Sequence, residues 1–318
     1  MRNNAVALFF LAPLVAEFLL GDFGINALFA LVFLAPMYGG GAILIREFAR
    51  RTGRGWPTML TLALAYGVIE EGLVTQSLFN PNYAGLHLLE HWFVPVLGIS
   101  VPWTLTVLAV HTVWSISVPI ALVEHLSPAT RTTPWLRVPG LVVAGALCLL
   151  GALLNVFGTW TSDHFQAPWP RLAGAAIVGL ALIVLAFRWP HRETTPGTVP
   201  PAWQVLVLTL VAGALFRLPD ATPTWLNVAL MVLVFGGLTV AVLRWSRRDG
   251  WGAGHRLALA AGATLTYAWH SFFMRPFMGD GPVVTPVSHV VFAVLAIVLL
   301  YFAMRATPRS PEPHTITA

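Results

Sequence analysis

Two adjacent carboxylates, Glu70 and Glu71, interrupt an otherwise apolar stretch, and His111 interrupts the next apolar stretch but one loop later. Further along, His270 and His289 do the same, and Glu17 stands alone near the start. A carboxylate or imidazole inside such a run costs on the order of 2.5 to 3.5 kcal/mol to insert in a bilayer, so it usually has a purpose. Glutamate with histidine is the combination that takes a proton from water and passes it on. Helical spacing gives each of these residues hydrophilic company. Glu71 shares a face with Gly67 and Thr75, Glu70 with Tyr66 and Val74, and Ser77 follows one turn on. His111 shares a face with Thr104 and Ser115, His270 with Thr266 and Tyr267, and His289 with Thr285. Such stripes suit a water-lined cavity; they also suit plain hydrogen bonding between helices. Neighbouring side chains diverge by about 100° on a helix, so the two glutamates are expected to differ in role, one a general base and the other orienting a helix or relaying a proton.

The elements that must position these groups are set by composition. The 318 residues are 57% hydrophobic and 10% charged, with a mean hydropathy of +0.75, too little polar surface for a water-facing globule. Apolar runs of spanning length cover Ala5 to Leu20, Ile25 to Ile45, Pro57 to Phe79, Ser100 to Val123 and Val138 to Trp160. Five more cover Trp169 to Phe187, Pro201 to Leu218, Pro223 to Leu243, His255 to Phe273 and Val283 to Ala303. The expectation is an all-α polytopic bundle of about ten transmembrane helices in the cell membrane, with no sheet, because unpaired backbone is costly in hydrocarbon. Every basic side chain apart from histidine is arginine. An N-terminus in the cytoplasm puts all of them on one side except Arg171, Arg217 and Arg275, with the C-terminus also cytoplasmic. Asp22, Glu90, Asp163, Asp220 and Asp280 then fall in the opposite loops. Trp56, Trp135, Trp189, Trp203, Trp245 and Trp251 gather at inner ends, and Trp92, Trp103, Trp160, Trp169 and Trp225 at outer ends, as interfacial belts do. The 1.5 Å rise per residue puts Glu70 and Glu71 about 12 Å, and His111 about 16 Å, from the outer ends of their helices, a common level.

Residues 1–304 form a single transmembrane domain on this reading. Spans one to four with nine and ten make a polar core, and spans five to eight an apolar flank; residues 305–318 read as a disordered cytoplasmic tail. The basic charge is accounted for by topology and by anionic membrane lipid at the inner leaflet, so nucleic acid is excluded as a partner. Short loops leave no room for a nucleotide-binding domain. No cofactor is implied. His87, Glu90 and His91 spell H-x-x-E-H, a weak metal motif on an expected interfacial helix over Ala84 to Trp92 without a third ligand. Gly39, Gly40 and Gly41 read as close helix packing, and Cys148, mid-span, as packing. Ser115 and Ser117 near His111 lack an acid on their own helix to complete a triad.

The order of Glu70-Glu71 on one helix, His111 on the next and histidines downstream resembles the CAAX-protease and bacteriocin-processing family of glutamate-dependent intramembrane proteases. That resemblance implies water activation by Glu70 and His111, with His270 or His289 steadying the oxyanion. This chain departs from the family pattern in carrying Thr75 where an arginine follows, Val107 where a phenylalanine precedes the histidine, and Met274 or Ala293 where an asparagine follows. Three functions fit the residues: a metal-independent membrane-embedded peptidase acting on a membrane peptide; a proton-coupled small-solute transporter; and a non-catalytic membrane assembly partner. Glu17, Tyr66, Thr75, Ser115 and Tyr267 complete the expected polar core.

Overall fold

Apolar side chains on every face of a run leave the backbone only its own carbonyls to bond, and the chain duly folds into helices. A computed structural model describes residues 2–190, 194–217 and 225–307. In chain order these are α1 (Arg2–Pro13), α2 (Leu31–Arg51), α3 (Trp56–Ile69), α4 (Val101–Val110), α5 (Val118–Leu126), α6 (Val138–Asp163), α7 (Trp169–Ala186), α8 (Ala202–Arg217), α9 (Trp225–Trp245), α10 (Ala253–His270) and α11 (Val284–Ala306). Three wider π-helical stretches extend them: Leu14–Phe18 after α1, Glu70–Val74 after α3, and His111–Ser117 joining α4 to α5. Among the described residues, six helical segments are long and apolar enough to cross a membrane: Ile25–Arg51, Val101–Leu126, Val138–Asp163, Trp169–Ala186, Trp225–Trp245 and Val284–Ala306. Asn3–Phe18 and Ala202–Arg217 are shorter apolar helices.

The structure corrects several expectations. A two-residue antiparallel pair exists, β1 (Phe93–Val94) with β2 (Ile99–Ser100), because Gly98, at φ +70°, closes a tight turn whose amide donates to the Val94 carbonyl at 2.7 Å. No helix covers Ala84 to Trp92. Beyond the short 3₁₀ turn Tyr83–Gly85, positive φ at His87 and Trp92 breaks any helical path. His87 and Glu90 stand exposed, 3.6 Å apart, and with His91 they form no metal-holding group. Helix α2 runs past Ile45 to Arg51, and Arg305 and Ala306 end α11 and are not tail. Residues 308–318 of the expected tail, and likewise Arg192 and Asp220, lie outside the described residues. The helices of spans five, six and seven dock on the others: α6 packs on α2, α7 on α3 and α8 on α10.

Close helix approach is made by glycine. A Cβ on Gly40 would stand 2.9 Å from Cys148 Cβ on α6, one on Gly41 2.5 Å from the Tyr66 ring on α3, and one on Gly39 would collide with the Phe9 backbone of α1. The Gly39-Gly40-Gly41 run thus seats three helices around α2. Gly67 does the same between α3 and the His111 turn, where a Cβ would lie 3.1 Å from His111 Cβ.

Further along α2 a fully buried arginine makes a second tie. Arg46 donates from Nε to Glu124 at 3.1 Å, from Nη1 to Glu47 at 2.7 Å, and from Nη2 to the carbonyls of Thr130, Arg131 and Thr133 at 3.1, 3.0 and 2.8 Å. Its guanidinium lies 3.4 Å over the Trp135 ring. Glu124 also takes both Arg50 donors, at 2.9 and 2.6 Å, and Glu47 accepts the amides of Trp135 and Leu136. Losing one partner of such a network strands the others without water.

Glu124→Ala is therefore expected to cost about 3 to 5 kcal/mol, read as loss of thermal stability in detergent; an unchanged melting curve would show that Arg46 finds other partners. Gly67→Val is expected to cost about 1 to 3 kcal/mol by overpacking, with the same readout.

Candidate functional site

The polar residues singled out by chain position converge where the helix ladder is widened. Glu17 lies in the first π-helical stretch, Glu70 and Glu71 in the second, and His111 and Ser115 in the third. Each widening has a local cause. Pro13 and Pro119, which lack an N–H and clash with the carbonyl four residues back, border the first and third. In the second, the Thr75 amide and hydroxyl both reach the Glu70 carbonyl, at 2.9 and 3.2 Å, a side-chain insertion of the kind that bends helices. π-Helical turns occur frequently at functional sites.

Glu70, Glu71 and His111 are all buried, 2, 6 and 5% exposed, and one ligating atom from each lies within 4.8 Å of the others. The two glutamates were expected to diverge; instead they flank one imidazole. Glu71 Oε1 sits 2.7 Å from His111 Nε2, and Glu70 Oε2 sits 3.2 Å from His111 Nδ1. The two carboxylates are not equivalent. Glu71 Oε2 accepts the hydroxyls of Thr75, at 3.1 Å, and Ser77, and Ser77 in turn accepts the Trp103 indole at 3.1 Å. Glu71 is thus committed on both oxygens. Glu70 Oε2, although within ion-pair distance of Nδ1, has no hydrogen bond of good geometry, and neither does the nearby Tyr66 hydroxyl. Buried polar atoms are rarely left so, and a water commonly fills the gap. Ser115 Oγ lies 3.3 Å from Nδ1.

Two tyrosines complete the surround. Tyr38, from α2, stacks on the His111 ring at 6.0 Å between centroids and 17° between planes, and its hydroxyl donates to Glu17 Oε1 at 2.5 Å. Tyr66 approaches the same imidazole edge-on at 6.2 Å. Glu17, Tyr66, Thr75 and Ser115 thus lie around the glutamate pair and His111. Tyr38 had no signal in the sequence beyond its burial in an apolar run.

His270 and His289 do not join this cluster. An Arg217 Nη2 donor stands 2.5 Å from His270 Nε2, and His289 Nε2 is buried without a hydrogen-bond partner beside the Gly21 turn. Asp22 is within electrostatic reach of Arg217. The expected stripes on these helices serve other ends: Thr266 bonds its own helix at Gly262, Thr285 caps Asp280, and Tyr267 stacks on Trp114 at 4.6 Å. The expected single cavity is thus two polar clusters.

As a metal centre the triad offers two carboxylates and one imidazole nitrogen, the ligand number of many catalytic zinc sites. Each ring nitrogen already faces its own carboxylate, so one ion would have to displace the 2.7 Å Glu71 contact or take only the Nδ1 side. The geometry is that of an imidazole hydrogen-bonded to one carboxylate, Glu71, with a second, Glu70, at ion-pair distance from its other nitrogen.

No curated protein and no solved structure matches the chain. Residues 6–315 match the model of an uncharacterized membrane protein family, and the buried-charge membrane bundle described above belongs to that family.

Proposed function

We propose that this chain is a ten-span protein of the cell membrane, both termini cytoplasmic, that hydrolyses a peptide bond within or beside the bilayer, as the glutamate-dependent intramembrane proteases it resembles do. The observation that carries the reading is the inequality of the two glutamates. Glu71 is held on both oxygens and fixes His111 through Nε2, which makes it a positioning residue; Glu70 keeps a buried oxygen open toward His111 Nδ1 and Tyr66. A water seated there loses its proton to Glu70 as its oxygen bonds to the scissile carbonyl carbon. The C–N bond then breaks, and the proton reaches the leaving amine through Glu70 and His111. With His270 and His289 held in the second cluster, the free Tyr66 hydroxyl is the donor available for the oxyanion.

A second reading shares the same groups. Two hydrogen-bonded sets of titratable side chains, Ser77–Glu71–His111 and Tyr38–Glu17, lie side by side where Tyr38 stacks on His111, an arrangement that suits a proton-coupled carrier of a small solute.

The test is co-reconstitution with a panel of membrane peptides and mass spectrometry for new termini. Glu70→Gln and His111→Ala are expected to lower cleavage by roughly 100-fold or more without loss of folded protein. Glu71→Gln, which keeps the acceptor and removes the charge, is expected to lower kcat and displace the pH profile while KM stays. Cleavage retained in both Glu70→Gln and His111→Ala would sink the hydrolase, and solute uptake driven by a pH gradient and lost in Glu17→Gln would favour the carrier.

A further inference from the structure

The turn that joins β1 to β2 is made of residues that water does not favour. Short turns are ordinarily built from Gly, Asn, Asp, Ser and Pro. This one reads Pro95-Val96-Leu97-Gly98, and no charged residue or histidine occurs between positions 92 and 110. Val96 is 92% exposed and Leu97 56%, with Phe93 exposed beside them, so the tip carries apolar side chains away from the protein. Its direction is fixed by the backbone. The Leu97 and Gly98 amides both donate to the Val94 carbonyl, at 3.1 and 2.7 Å, and the Val101 amide donates to the Trp92 carbonyl at 3.2 Å. The Ser100 hydroxyl donates to the His91 carbonyl at 2.7 Å. Gly98 is buried against the Arg171 guanidinium, which a Cβ at that position would strike.

The neighbours of the tip indicate what covers it. Arg171 lies in the first turn of α7, two residues after the exposed Trp169, and the outward face of that helix continues through Ile177 and Leu180. On the other side the Trp92 ring packs on Trp225, the first residue of α9, at 4.1 Å between centroids. Trp103 stands in the first turn of α4. Tryptophans gather where headgroups meet hydrocarbon, so the tip stands at the rim of the lipid-facing surface and continues it. We infer that residues 95–97 form an anchor inserted in the membrane interface at this end of the bundle, with Val96 and Leu97 among the upper acyl carbons of phospholipid. The inference does not depend on the hydrolase reading, although the hairpin adjoins that site: β2 leads into α4, where the Trp103 indole donates to Ser77, the partner of Glu71.

The experiment uses the full chain carrying Cys148→Ala, reconstituted in phosphatidylcholine vesicles. One further substitution is made at a time: Val96→Cys, Leu97→Cys, Glu90→Cys in the exposed loop before the hairpin, or Leu180→Cys on the outward face of α7. Each cysteine is labelled with a nitrobenzoxadiazole fluorophore and quenched from water by iodide and from lipid by nitroxide-bearing phosphatidylcholine. The labels at positions 96 and 97 are expected to emit to the blue of the label at position 90 and to escape iodide. A nitroxide near the headgroup is expected to quench them more than one near the chain end, at a depth of about 5 to 10 Å into the boundary between headgroups and acyl chains. The label at position 180 is expected to prefer the deep nitroxide. Iodide quenching at position 96 equal to that at position 90 overturns the inference by placing the tip in water. Escape from iodide without quenching by either nitroxide also overturns it, by placing the tip against protein, a second copy of this chain included. Should Val96→Cys fail to fold, Leu97→Cys decides by the same readings.

Discussion

The contact between Glu71 and His111 sets the conditions that the surrounding helices have to meet. A carboxylate and an imidazole removed from water must spend their hydrogen-bonding capacity on each other or on protein groups. Glu71 does so completely, with His111 on one oxygen and Thr75 and Ser77 on the other. To bring the two together, α3 has to approach the His111 turn at Gly67 without an intervening side chain, and the helix has to widen so that adjacent glutamates reach one ring. Tyr38 then covers the face of that ring and carries the connection to Glu17. The pair thereby orders three π-helical stretches and α2 around itself.

The same constraint, charge without water, is met by a different solution in the C-terminal half of α2. Arg46 is surrounded by two carboxylates, three carbonyls and an indole, so its charge is spread over α2, α5 and the connector that follows. This network follows the mid-helix Gly39-Gly40-Gly41 seat along α2, and together they hold α2 as the post against which α1, α3 and α6 pack. The rigidity matters for chemistry, since a general base and its imidazole partner act only when held within hydrogen-bond reach.

Outside this post the bundle changes character. Helices α6, α7 and α9 turn large apolar side chains outward, among them Leu149, Phe157, Leu180 and Leu233, as lipid-facing helices do. Helix α8 differs, because its last residue, Arg217, is buried against His270. The polar cluster that results is a second place where the bundle holds charge, and α8, one of its helices, carries no acid or histidine of its own among the described residues.

The amino-acid sequence by itself determined the helical class, the positions of the apolar runs and the rarity of the residues within them: burial in lipid acts on each run alone, so local composition suffices. Glu70, Glu71 and His111 were legible as a set because their cost in hydrocarbon marks them individually, and Thr75 and Ser115 because one-turn spacing on a helix is local. What only the tertiary structure decided was which of these groups meet. The sharing of one imidazole by two adjacent glutamates depends on a π-helical turn, whose extra residue has no composition signature. His270 stands apart from the site against Arg217, distant in the chain. Glu47 and Glu124 look, in sequence, like ordinary residues near helix ends; only the packing of α2 on α5 and its connector reveals that they stand inside the protein, where a carboxylate without an arginine would not be tolerated.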